Sequence, residues 1–278
     1  DDTAAGTTRV VLADDQLAPL LVLVDNQTKN YEFTGAGALT GSGGLTKKGS
    51  GTLTLANTGD NTFGGPVNLE GGVLRQDGLA DRLPTNAVVT LANAGGVTLD
   101  LNGFDLQLGS LSGGGAVNLG AGNLSLGAGG GNFAGVISGS GALIKNTAGT
   151  QTLSGANTYS GGTVVANSSL VVTNSTGSGL GSGPVTIGPG GILQLGNGVV
   201  EGHIDATEIY NDGRLNLFPA TDQTFTKTVT GAGVLAKMLG NGTTLVFNHA
   251  NDYAGGTIIY QGTVLAAHPE ALGTGPIT

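Results

Sequence analysis

Cysteine and tryptophan are both absent from this 278-residue chain. Without cysteine there is no disulfide, no iron–sulfur cluster and no thiol nucleophile, and a thiol-free chain crosses an oxidising compartment without cross-linking. Aromatic residues make up 4% of the sequence, too few for a thick globular core. Charged side chains make up only 10%, and the 10 basic residues are outnumbered by 19 acidic ones, a formal charge of −9. No basic stripe exists to neutralise phosphates, so no nucleic-acid partner is expected and binding to anionic membrane surfaces is disfavoured. No segment approaches the roughly 20 apolar residues of a membrane helix. The longest apolar patch, Leu17 to Val24, is interrupted by Pro19 and follows the acidic start Asp1-Asp2, so it is not an intact signal peptide. Helical periodicity fails almost everywhere: Leu79–Leu83 and Pro269–Leu272 are at best single turns.

What is present is a turn-and-strand vocabulary. Glycine supplies 54 residues with no period of three, which excludes collagen. The remainder is rich in Leu, Val, Ile, Thr, Ala, Asn and Ser. Disorder, the ordinary fate of glycine-rich polar chains, is opposed by 38% hydrophobic residues and by clear alternation in Thr52–Leu55, Val97–Leu101 and Val185–Ile187. From Val88 to Leu143 short strands follow one another at intervals of about eight to ten residues, so three of them fill one coil of about 20 to 29 residues. The fold class expected is therefore all-β, a right-handed single-stranded parallel β-helix (β-solenoid) of roughly a dozen coils. Ladders of aliphatic side chains fill so narrow a core without large rings. Val10–Leu12 and Leu21–Val24 supply the first strands.

Three stretches are copies of one another: Gly41–Leu55 (GSGGLTKKGSGTLTL), Gly139–Leu153 (GSGALIKNTAGTQTL) and Gly231–Leu245 (GAGVLAKMLGNGTTL). They start 139 − 41 = 98 and 231 − 139 = 92 residues apart. Each precedes an Asn-x-aromatic turn, Asn61-Thr-Phe63, Asn157-Thr-Tyr159 or Asn251-Asp-Tyr253. The later two continue as Gly161-Gly-Thr163 and Gly255-Gly-Thr257, the first as Gly65-Pro66-Val67. Variable spacing around a fixed motif marks a stacked array whose insertions leave as loops. Leu45, Leu143 and Leu235, with Leu55, Leu153 and Leu245, are expected to face inward. Gly43, Gly141 and Gly233 are expected at corners that need positive φ, and the three asparagines at corners or along a ladder. Leu180-Gly-Ser-Gly-Pro-Val-Thr186 runs on into a further strand, whereas its counterpart Leu272–Thr278 ends the chain; residues 1–278 read as one continuous β-helix segment of a longer protein, with repeat copies near 41–91, 139–187 and 231–278.

These elements, G-x-G-x-L-x-K-x-G-x-G-x-L-x-L, N-x-[YF]-x-G-G-T, a valine-rich strand and L-G-x-G-P-V-T, resemble the autotransporter-associated β-strand repeat, also called the passenger-associated transport repeat. The third copy drifts, with Met238-Leu-Gly-Asn-Gly242 in place of a shorter glycine corner. The resemblance covers about half the chain and implies a bacterial surface-exposed or secreted passenger segment, often part of a longer protein ending in an outer-membrane β-barrel.

Candidate chemistry is sparse. Lys47, Lys145 and Lys237 occupy one repeat position; a catalytic lysine is needed once, so three point to a surface or corner role. Phe63, Tyr159 and Tyr253 could stack on carbohydrate, but their repetition favours turn packing. The densest titratable cluster is Glu201, His203 and Asp205, which on a strand would share one face, with Glu208, Tyr210, Asp212 and Arg214. Such a group could bind metal or serve as an acid/base pair, or form a solvated face. His249 and His268 stand alone. No G-x-S-x-G, H-E-x-x-H, Walker or calcium-binding nonapeptide sequence occurs. The expectation is a non-enzymatic stalk or adhesin-type passenger segment at the bacterial surface, outer-membrane-associated, with no catalytic, metal or cofactor-binding residue. It would present distal binding regions, aid export, and meet a host or neighbouring-cell surface, a glycan or its own copies. The alternatives are a polysaccharide-cleaving β-helix enzyme, lyase or glycosidase, and a self-assembling extracellular fibre subunit.

Overall fold

The computed structural model describes residues 8–14, 16–239 and 242–278. The chain forms two compact units, residues 1–142 and 143–278. Among the described residues there is no helix. Every registered strand pair is parallel, and the partners are one coil apart in sequence. Each unit is thus a β-solenoid.

In the first unit one face stacks strands Arg9–Val11, Tyr31–Thr34, Thr52–Leu55, Val73–Gln76, Thr98–Asp100, Ala116–Asn118 and Ile137–Ser138. A second face stacks Leu21–Asp25, Gly44–Lys48, Val67–Leu69, Val88–Leu91, Ser110–Gly113 and Gly131–Phe133. Alternation along each strand sends every second side chain inward, so registered rungs build continuous apolar ladders. Leu53, Leu74, Leu99, Val117 and Ile137 form one, and Leu45, Val67, Val89 and Leu111 another. All are buried. The outward rows are polar: Thr90 and Ser112 share a hydroxyl hydrogen bond of 3.0 Å, and Arg75 meets Asp100 at 2.8 Å.

In the second unit, Leu143–Lys145, Thr163–Val165, Val185–Ile187, Glu208–Asn211, Thr228–Gly231 and Asp252–Tyr253 make one face. Thr150–Leu153, Ser169–Val172, Ile192–Leu195, Arg214–Leu217, Val234–Lys237 and Thr257–Ile259 make the second. Gln223–Phe225, Thr244–Phe247 and Thr263–Ala266 make the third, where the rings of Phe225 and Phe247 lie 5.5 Å apart. The six repeat leucines expected inside are all buried, each contributing about 25 cal/mol per Å² of apolar surface withdrawn from water.

One expectation is corrected. Positive φ falls not at Gly43, Gly141 and Gly233 but two residues earlier, at Gly41 (81°), Gly139 (118°) and Gly231 (103°). The later glycines are required for another reason, the closeness of the preceding coil. A Cβ at Gly43 would lie 2.0 Å from the Pro19 carbonyl oxygen, one at Gly141 1.8 Å from that of Gly122, and one at Gly233 2.5 Å from that of Gly213. The turn at Pro269–Leu272 is present, with the Ala271 amide donating to the His268 carbonyl at 3.1 Å.

Candidate functional site

The repeated polar residues converge at the coil corners. In G-x-L-x-K both the leucine and the lysine lie on the inward side of the strand, and Lys47, Lys145 and Lys237 are fully buried rather than at the surface. Lys47 is in register with Leu69, Lys145 with Val165, and Lys237 between Leu217 and Ile259. Each aliphatic stem therefore fills a rung of the ladder and carries its ammonium to the corner. Lys47 Nζ donates to the carbonyls of Lys48 (2.6 Å), Gly49 (2.9 Å) and, one coil on, Gly71 (3.2 Å). Lys237 Nζ donates to Thr243 Oγ1 (3.2 Å) and to the Gln261 carbonyl of the next coil (2.9 Å); Lys145 Nζ donates to the Thr147 carbonyl. Burial pulls all three pKa values below the ordinary lysine value, opposed by the charge of Asp25 at Lys47 and of Asp222 at Lys237. An ammonium with three donors matched to carbonyls is a fastener, with no open face for substrate.

The asparagines work between coils as well. Asn61 Oδ1 accepts from the Leu39 amide (2.9 Å) in the coil before, and its Nδ2 donates to the Arg82 carbonyl (2.8 Å) in the coil after. Asn251 repeats this with the Val229 amide (2.8 Å) and the Ala271 carbonyl (2.6 Å), and Asn157 Nδ2 reaches the Gly179 carbonyl (2.6 Å). The aromatics are sealed in. Tyr159 and Tyr253 share hydrogen bonds with Thr163 (2.7 Å) and Thr257 (2.6 Å), and burial raises both phenol pKa values against the opposing effect of those bonds. Phe63 in the first copy lacks the hydroxyl, and Val67 stands where the threonine would be. The pair is exchanged as a unit, so no hydroxyl is left alone. None of the three rings can stack on a sugar.

The titratable cluster does not assemble. Residues 201–206 form no assigned strand, although His203 and Asp205 point outward on either side of buried Ile204. Glu201 Oε1 accepts from the Ala220 amide (3.0 Å), the Thr221 amide (2.9 Å) and Thr221 Oγ1 (3.1 Å), and Oε2 from Gln223 Nε2 (2.9 Å). Its carboxylate is thus a loop cap beside a cleft of about 160 Å³ bordered by His203, Phe225 and Lys227. Tyr210 and Asp212 sit on another face; the hydrogen bond to Asp212, then its charge, raise the Tyr210 pKa. Arg214 lies on a third side, donating to Asn216 Oδ1 (2.7 Å) and Tyr260 OH (2.8 Å). Among the described residues no group of His, Asp and Glu could hold a metal ion. His249 contacts Asn248 (2.6 Å), and His268 Nδ1 accepts from the Glu270 amide (3.1 Å). Sequence reasoning passed over Arg82, which is buried and donates to the Asn57 (2.7 Å), Gly59 (3.2 Å) and Ala80 (3.1 Å) carbonyls; its placement just before Leu83-Pro84, where the other copies have L-G-x-G-P, was the available signal.

Stacked parallel coils with fastened corners define a repeat solenoid whose recurring residues serve the stack itself. The Passenger-associated-transport-repeat family model matches three stretches of the chain, residues 45–75, 143–172 and 240–266. The Adhesin BmaC autotransporter of Brucella suis biovar 1 (strain 1330) is 40% identical over 141 residues, which is 48% of this chain but 4% of that protein. No solved structure gives a significant match.

Proposed function

We propose that this chain is a non-enzymatic passenger segment of a bacterial adhesin displayed at the outer-membrane surface, one continuous stretch of solenoid within a longer protein that spaces binding regions away from the cell and whose coil-by-coil folding aids its own export. The observation that carries this reading is the fate of the repeated polar side chains: the lysines, asparagines and tyrosines are spent on hydrogen bonds within and between coils. The named relative, an autotransporter adhesin, supports the surface assignment. A catalytic reading would need two carboxylates free to act on one substrate, and Glu201 has both oxygens engaged with its own loop. The test is made on the full-length protein in its own cells. Antibody to this segment should label intact cells, excision of residues 139–230 should reduce adhesion, and incubation with acidic and neutral glycans should release no reducing ends. Unlabelled intact cells would overturn the surface assignment, and new reducing ends the non-enzymatic one.

A further inference from the structure

The four arginines are not treated alike. Arg9 pairs with Glu32 (3.8 Å), Arg75 with Asp100 (2.8 Å) and Arg82 with Asp60 (3.6 Å), whereas no carboxylate among the described residues pairs with Arg214. In a chain with 19 acidic residues to 10 basic ones this omission needs a reason. Arg214 is held by neutral groups: Nε on Asn216 Oδ1 and Nη2 on Tyr260 OH, with Cζ 5.7 Å from the centre of the Tyr260 ring. Arg214 registers with Val234 on the next coil, and Tyr260 follows the strand of the coil beyond. The Arg214 and Tyr260 side chains therefore reach toward each other across two coils, about 10 Å of sheet. Nη1 keeps both N–H groups outside these two bonds. The nearest acid in sequence, Asp212, is turned to its own corner, accepting from the Ala232 amide at 2.9 Å.

We propose that Arg214 and Tyr260 form a recognition platform for a carboxylate-bearing pyranose, a uronic-acid unit of an acidic glycan. The pinned guanidinium offers the forked geometry that carboxylates accept, and little further side-chain freedom is lost on binding. The Tyr260 ring, 49% exposed, provides beside it the flat apolar surface that the C–H face of a sugar ring covers. Ile192, in register with Arg214 on the preceding coil and also exposed, forms an apolar border, and Gln194 beside Asn216 supplies an amide oxygen to hydroxyls. A free peptide carboxylate would use the fork but leave the ring uncovered, which favours the sugar. The proposal adds a ligand to the scaffold reading and does not depend on it.

The test titrates the intact chain with trigalacturonate, with its neutral counterpart galactotriose, and with an acidic peptide of equal charge, following the Arg214 Nε–H and tyrosine ring signals by NMR. The expected result is a salt-sensitive, saturable shift with trigalacturonate and none with galactotriose. Arg214→Gln should weaken binding at least tenfold, Arg214→Lys should restore it only partly, and Tyr260→Ala should weaken it with unchanged thermal melting. No shift up to about 10 mM, or equal binding by Arg214→Gln, overturns the site. Equal binding of the acidic peptide overturns the sugar and makes the platform a protein contact. Cell-surface labelling is blind to each of these outcomes, so this proposal and the surface reading fail separately.

Discussion

Replacing Tyr159 with Phe deletes one oxygen from a site closed to water and leaves Thr163 Oγ1 with only a distant acceptor, the Leu180 carbonyl at 3.5 Å. Thr163→Val leaves the tyrosine hydroxyl with nothing. A buried hydroxyl deprived of its partner costs about 1–3 kcal/mol, while removing both partners for apolar groups of the same shape is nearly neutral. Each single change should therefore cost about 1–2 kcal/mol, and the double change should recover most of that loss, because it rebuilds the Phe63 and Val67 arrangement that the first copy already uses. Urea unfolding monitored by circular dichroism, arranged as a double-mutant cycle, gives the coupling directly. The pH dependence has a definite sign. Burial holds the Tyr159 phenol above its ordinary value, so the stability it contributes is complete below about pH 10 and is lost as pH rises through the raised folded-state value. Tyr159→Phe should flatten that alkaline decline. A double variant as unstable as the sum of its parents would refute the idea that the pair is exchanged as a unit.

Lys47→Met keeps the rung filled but strips donors from three carbonyls, and should cost about 2–4 kcal/mol in the same assay at neutral pH. Since burial lowers the folded-state pKa of Lys47, the gap to wild type should widen as pH rises from that value toward about 10.5. Gly141→Ala should be far worse than Gly78→Ala: the first puts a methyl 1.8 Å from a carbonyl oxygen, the second meets nothing within 4 Å and bears only the strain of φ +78°, about 1 kcal/mol. Comparable melting of the two would deny that close coils, rather than torsion, select glycine at position 141. Leu153→Ala should lower stability by about 2–5 kcal/mol; an unchanged melting temperature would place that leucine outside the ladder.

The architecture was readable because it rests on period. Alternation in Thr52–Leu55 and recurrence of G-x-L-x-K state which side chains share a face and which positions are equivalent, and the ladders follow from those two facts. Distances across coils carry no such periodic sign. The glycines of G-x-G showed that a side chain was forbidden at each, yet not that positive φ belongs only to the first, while the second is forbidden by a neighbouring carbonyl without it. Lysine is ordinarily a surface residue, so its burial at Lys47 could be foreseen only from its phase with Leu45, two positions earlier on the same strand. The cluster from Glu201 to Arg214 looked dense because it is dense along the chain. A solenoid turns its face every few residues, so neighbours in sequence point to different sides. The pairing of Arg214 with Tyr260, 46 positions away, gave no signal in the sequence.

The asparagine and lysine fasteners join residues only 20 to 24 positions apart, as do most of the strand pairs. Divided by a length of 278 residues, that separation gives a relative contact order of roughly 0.08, the range of helical bundles and well below the 0.16 to 0.22 of sandwiches and barrels. Topologically, this all-sheet protein is a neighbour-by-neighbour chain. Its assembly needs no distant encounter, so a growing stack can be extended from a finished edge one coil at a time.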